Sequence, residues 1–154
     1  MHPVLKDYWA NLQELHEQIL SCLEGLPPSA LDCRPGVSGF NSPSVLVVHL
    51  AGAERYWFGD VVGREPSQRD REAEFQVQAL APDELRNRLA ASQNEAGRIL
   101  ETLSPLDLEA ARTSPRDGRT CTVGWALAHV LEHSALHLGH LQITRQLWEL
   151  AGKN

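Results

Sequence analysis

The chain has 154 residues, 42% of them apolar and 22% charged, the make-up of a single soluble globular domain and not of a disordered or membrane-embedded chain. Its net charge of -6 argues against a nucleic-acid partner, because binding phosphate needs a basic face. No apolar run approaches the roughly 20 residues that cross a bilayer, and the N-terminus lacks the basic start and apolar centre of a signal peptide, so the cytoplasm is the expected location. Cys22, Cys33 and Cys121 are odd in number and form no CxxC pair. That spacing speaks for small buried residues and against a disulfide framework, with a reactive thiol as the other reading.

Four amphipathic helices account for most of the sequence. The first is expected from about Val4 to Glu24, where Leu5, Tyr8, Trp9, Leu12, Leu15, Ile19 and Leu23 keep the spacing of one apolar face. Gly25 and the Pro27-Pro28 pair stop it. Residues 26–41, rich in proline and glycine, read as a structured loop without a helix. Ser42 and Pro43 then open the second helix as N-cap and first helical residue. Its stripe is Leu46, His49, Leu50, Ala53, Trp57 and Val61, and Gly63 ends it. Residues 64–80 carry many charges and read as a solvated crossover with room for a short helical piece. Such a connection lets two neighbouring helices run parallel. Pro82, Asp83 and Glu84 start the third helix, with Leu85, Leu89, Ser92, Ala96, Ile99, Leu100 and Leu103 facing a core. Residues 104–119 read as a second long loop, and the last helix runs from about Thr122 to Leu150. No stretch reads as a strand. The expected architecture is an all-α four-helix bundle over residues 1–154.

The last helix holds four of the seven histidines: His129, His133, His137 and His140. Residues four apart on a helix lie about 40° from one another around its axis, one turn up. His133 and His137 can therefore aim their imidazoles at one point, as two metal ligands from one helix must. They lie at the edge of the stripe Val123, Val130, Ser134, Leu141 and Trp148. His49, embedded in the apolar face of the second helix, is the third candidate. Three imidazoles leave a fourth position open, as in catalytic zinc sites. An ordinary core with a hydrogen-bonded His49 and no metal is the alternative from spacing alone.

Two rival motifs are weaker. His129-Val-Leu-Glu-His133 matches the HxxEH string of inverted zinc proteases. Those enzymes need a further acidic ligand downstream, and Glu149, the one carboxylate side chain that follows, sits about four turns along the same helix. A di-iron carboxylate bundle needs Glu-x-x-His on two helices, and no histidine here has a glutamate three residues before it. His2, His16 and His140 read as surface groups or as hydrogen-bond partners of ligands, His140 foremost. Glu54 is a weak general-base candidate, with a solvated surface glutamate as the plainer reading.

Several segments together resemble the DinB/YfiT-like superfamily of small metal-binding helical bundles. Leu31-Asp-Cys-Arg-Pro35 is similar to that family's Leu-x-x-Arg-Pro segment, and Ser42 stands seven residues before His49-Leu50. Thr122-Val-Gly-Trp125, followed by His129, His133, His137, Gly139 and His140, resembles its last-helix signature. Position 140 is commonly glutamine in that signature and is His140 here. The family's three metal histidines fall on His49, His133 and His137, although one branch has glutamate at the position of His133. The resemblance implies an up-down-down-up bundle with two long crossovers and a divalent metal, zinc or nickel. It also implies thiol chemistry: transfer of a low-molecular-weight thiol onto an electrophile, the metal lowering the thiol's pKa. A non-catalytic stress-related metal-binding protein and a metal-dependent hydrolase are the alternatives. The expected partners are a small thiol and an electrophile, with no nucleic acid and no membrane; a homodimer is the candidate assembly.

Overall fold

The computed structural model describes residues 1–36 and 39–152. Its elements in chain order begin with α1 (Pro3–Leu23), the single turn α2 (Pro28–Leu31) and α3 (Pro43–Arg55), which continues as a π-helical segment over Tyr56–Gly63. Then come the single turn α4 (Arg71–Glu74), α5 (Pro82–Thr102), a 3-10 turn (Pro105–Glu109), the strands β1 (Ala111–Thr113) and β2 (Thr120–Thr122), and α6 (Val123–Ala151). The helix starts follow from capping chemistry. Ser42 Oγ accepts from Val45 N–H at 3.3 Å and Thr122 Oγ1 from Trp125 N–H at 3.1 Å, each satisfying a donor that the first turn leaves open.

Two apolar clusters fix the direction of each helix. One joins Leu5 and Leu12 of α1 with Phe58, Val61 and Val62 of the π segment, Ile99 and Leu100 at the end of α5, and Val123 and Val130 at the start of α6. The other joins Ile19 and Leu23 with Leu46 and Leu50, Leu85 and Leu89, and Leu138 and Leu141. The beginnings of α1 and α6 thus meet the ends of α3 and α5. The chain is a four-helix bundle of up-down-down-up order, with α3 and α5 running parallel as the long 64–81 crossover permits. Among the described residues, no helix is long and apolar enough to cross a membrane.

Between the two clusters lies a buried polar knot with one residue from each long helix. Glu54 of α3 accepts from His16 Nε2 of α1 at 2.8 and 2.9 Å. Ser92 Oγ of α5 and Ser134 Oγ of α6 reach the same carboxyl at 2.9 and 3.1 Å. His16 and Glu54 are only 2% and 1% exposed, so the expectation of a surface histidine and a solvated glutamate is corrected. Both fit apolar helical faces because His16 Nε2 and the Glu54 carboxyl satisfy each other, although His16 Nδ1 has no hydrogen-bond partner among the described residues.

Three local expectations also change. Part of the 26–41 stretch forms α2, a single proline-started turn; positions 37–38 of that stretch lie outside the described residues. The 104–119 loop closes as an antiparallel hairpin, pairing Ala111 with Thr122 and Thr113 with Thr120, and β2 runs directly into α6. Three-residue strands are too short to show alternation in sequence. The second helix widens at Tyr56, where Tyr56, Trp57, Phe58, Gly59, Val61 and Val62 are all buried. Apart from the partly exposed Asp60 and Gly63, the segment is buried and has little solvent face to preserve. Arg64, at φ 58°, then ends it in the left-handed conformation, its N–H bonded to Gly59 O.

Candidate metal centre

α3 and α6 pack side by side and bring His49, His133 and His137 together, with one ring nitrogen of each within 4.8 Å of the others. His133 Nε2 and His137 Nε2 face each other at 3.1 Å, as the four-residue spacing on α6 requires. The His49 ring sits 5.2 and 5.1 Å from those of His133 and His137, and the Phe75 ring lies 4.9 Å from it.

His49 is held from behind. Its Nδ1 lies 2.9 Å from Glu74 Oε2 and 3.3 Å from a terminal nitrogen of Arg69; a carboxylate only accepts, so the shorter contact assigns the proton to Nδ1 and leaves Nε2 as the nitrogen for an ion. Arg69 grips the same carboxyl through Nε at 2.5 Å and a terminal nitrogen at 2.8 Å. Burial acts to raise the Glu74 carboxyl, but the hydrogen bonds from Arg69 and His49 outweigh it and hold the group below the usual carboxylate range. A carboxylate behind an imidazole is the arrangement that fixes tautomer and orientation in metal-binding histidines. The expectation of a wholly solvated 64–80 crossover is therefore corrected. Glu74 is 6% exposed, Ser67 is buried against Asp60, and Asp70 caps α4 through Ala73 N–H at 3.0 Å.

Burial, with the neighbouring imidazoles adding to it, pushes His133 down to about 3 and His137 to about 4. Both are then neutral at pH 7, the form a metal needs. Three convergent imidazoles, two kept neutral by burial and the third oriented by a carboxylate, fit a divalent cation.

The remaining residues sort themselves around this trio. His140 is exposed on α6, with Nδ1 3.4 Å from His137 Nδ1, in the supporting place expected of it. His129 stands outside the group: its ring stacks on Trp125 at 4.9 Å and meets Trp57 edge-on. Glu132, the glutamate of the HxxEH string, is 79% exposed and bonded to His129. Glu54 spends its oxygens on the polar knot and makes no bond to the trio. No cysteine joins the group among the described residues, and burial raises the thiols of Cys22 and Cys121. A cleft of about 340 Å³, lined by Gly39, Phe40, Asn41, Leu46, His137, His140 and Thr144, opens beside His137.

Known proteins place this arrangement in a family. The model of the Mycothiol-S-transferase family matches residues 8–149, nearly the whole chain. The chain belongs to that family. Its fold is also that of YfiT from Bacillus subtilis, described as a probable metal-dependent hydrolase with an unusual four-helix bundle topology. That match has a TM-score of 0.72 at 19% identity, over 99% of this chain and 90% of the other. A conserved protein from Enterococcus faecalis matches with a TM-score of 0.80 at 16% identity, over 96% of this chain and 98% of the other. The mycothiol-dependent maleylpyruvate isomerase matches with a TM-score of 0.68 at 17% identity; 89% of this chain aligns with 60% of that longer protein. No curated protein matches the sequence. Membership of the Mycothiol-S-transferase family and the YfiT-like bundle agree with the DinB/YfiT-like resemblance drawn from the histidine signature.

Proposed function

We propose that this protein is a divalent-metal-dependent S-transferase that moves a low-molecular-weight thiol of the mycothiol class onto an electrophile. The observation that carries the reading is the convergence of His49, His133 and His137 in a member of the Mycothiol-S-transferase family. These three residues would hold the ion, zinc or nickel. A bound divalent ion would supply Lewis acidity, lowering the pKa of a thiol so that it reacts as thiolate.

The chain's own residues would do the rest. Three protein ligands fill three positions, so a four-coordinate site keeps one for an exchangeable group. Glu74 and Arg69 hold the His49 ring, and the cleft beside His137 gives a small molecule a way in. Its lining of Asn41, His140 and Thr144 offers hydrogen bonds without a fixed charge, and Phe40 offers an apolar face.

The test belongs in a protein carrying Cys22→Ser, Cys33→Ser and Cys121→Ser, loaded with cobalt. A near-ultraviolet charge-transfer band should appear on adding a small thiol and vanish with His49→Ala or His137→Ala, but survive His129→Ala. Thiol consumption with an epoxide or haloarene should then require the metal. If no band forms and no thiol is consumed above the apo-protein rate, the transferase reading fails. The metal would then be structural, or would serve a hydrolysis.

A further inference from the structure

Gly52 lies on α3 one turn after His49. Its backbone is helical and not left-handed, so conformation alone does not ask for glycine there. A Cβ built on it would lie 2.0 Å from Glu74 Oε1, 2.8 Å from Glu74 Cδ and 3.4 Å from Arg69 Nε. Glu74 borders a cavity of about 370 Å³, but its hydrogen bonds hold the carboxyl where it is. Its Oε1 is bonded to Arg69 Nε at 2.5 Å, and its Oε2 to a terminal nitrogen of Arg69 at 2.8 Å and to His49 Nδ1 at 2.9 Å. The carboxyl is seated on the helix in the space that the first side-chain carbon of any other residue would fill.

We propose that Gly52 is a positioning residue of the metal centre. Its bare backbone is the seat that lets Glu74 reach His49 Nδ1, and so decides which nitrogen of His49 is left for the ion. The inference rests on reading His49, His133 and His137 as ligands. Alanine is the better helix former, so Gly52→Ala favours α3 taken alone. A loss at the metal centre without a loss of helix therefore marks positioning.

The experiment compares wild type, Gly52→Ala, Glu74→Ala and the double variant, each metal-free and checked for helix content by circular dichroism. Zinc affinity is measured by competition with a chromophoric chelator. The His49 tautomer is read from long-range proton–nitrogen NMR of the metal-free proteins in mildly alkaline buffer. Gly52→Ala should weaken zinc binding by roughly 10- to 100-fold. Glu74→Ala should do the same, and the double variant should be no weaker than Glu74→Ala, because both changes act on one path. Wild type should show the Nδ1–H tautomer of His49, and Gly52→Ala should lose it. Shortening the acid in the combination Gly52→Ala with Glu74→Asp should restore part of both signals. Wild-type zinc affinity in Gly52→Ala would overturn the proposal, as would a double variant weaker than Glu74→Ala by the full Gly52→Ala factor. If wild type itself binds no zinc, the metal reading fails instead; an unchanged His49 tautomer in Gly52→Ala would then sink the seating of Glu74 as well.

Discussion

An imidazole ligates a metal only as the neutral base, and at His133 and His137 the fold enforces that form before any ion arrives. Burial is the larger cause at each, with His137 and His49 adding to it at His133, and His49 and His140 at His137. The consequence for stability has a definite sign. The folded values, about 3 and about 4, lie below the usual value of about 6.5 for an unfolded chain. Between those limits the unfolded chain holds more protons, so lowering the pH favours unfolding. The metal-free protein should therefore keep its stability above pH ~6.5 and lose it steadily as pH falls toward about 4. Each imidazole contributes at most about 1.4 kcal/mol per pH unit, less where solvent screens a partly exposed ring. Urea unfolding of the metal-free protein along this range, compared with the variant carrying His133→Ala and His137→Ala, measures the effect. The variant should show the shallower slope, and equal slopes would mean that neither imidazole is desolvated in the folded state.

Among the elements, what was legible in the sequence and what was not divides along the range of the interactions. The starts of α3 and α6 were legible because Ser42 and Thr122 satisfy donors within three residues of themselves. His133 and His137 were legible because one helix carries both. Glu74 was not: its partners His49 and Gly52 lie 25 and 22 residues away, and its own segment reads as solvated charge. The same holds for His16 and Glu54, each implausible in a core until paired with the other across α1 and α3. That pairing has a cost that can be measured. Removing one partner of a buried polar pair leaves the other unsatisfied, which typically costs about 1–3 kcal/mol for each stranded group. Glu54→Ala strands His16 Nε2 and Ser134 Oγ at once, while Ser92 keeps its bond to Leu89 O, and should lose about 2–6 kcal/mol in chemical denaturation. Replacing all four together, with His16→Leu, Glu54→Met, Ser92→Ala and Ser134→Ala, should lose far less, because no polar group is then left alone. A four-fold variant as unstable as Glu54→Ala would mean that the knot holds the bundle by more than mutual satisfaction.

Over the whole molecule, the candidate metal centre brings together two helices that are far apart in sequence. His49 comes from α3, which leads into the long 64–81 crossover, and His133 and His137 come from α6, which follows the hairpin. Glu74 and Phe75 of the crossover close over His49, so an ion on the trio would bind α3, α6 and the crossover in one unit. The unfolded chain has no such preformed site, so ligand binding becomes folding free energy. At a free metal concentration one hundred times the dissociation constant, the gain is about 2.7 kcal/mol. For a chain of this size, about 1 kcal/mol moves the midpoint by roughly 2–4 °C. Zinc or nickel should thus raise Tm by roughly 5–10 °C over the chelator-treated protein. His137→Ala should cancel the rise, because it removes a proposed ligand, whereas His129→Ala should keep it, its ring being stacked on Trp125 outside the trio. Scanning calorimetry of the three proteins with and without metal decides the matter. A Tm rise that survives His137→Ala would place the ion elsewhere, and a rise lost with His129→Ala would bring the HxxEH string back as the ligand set.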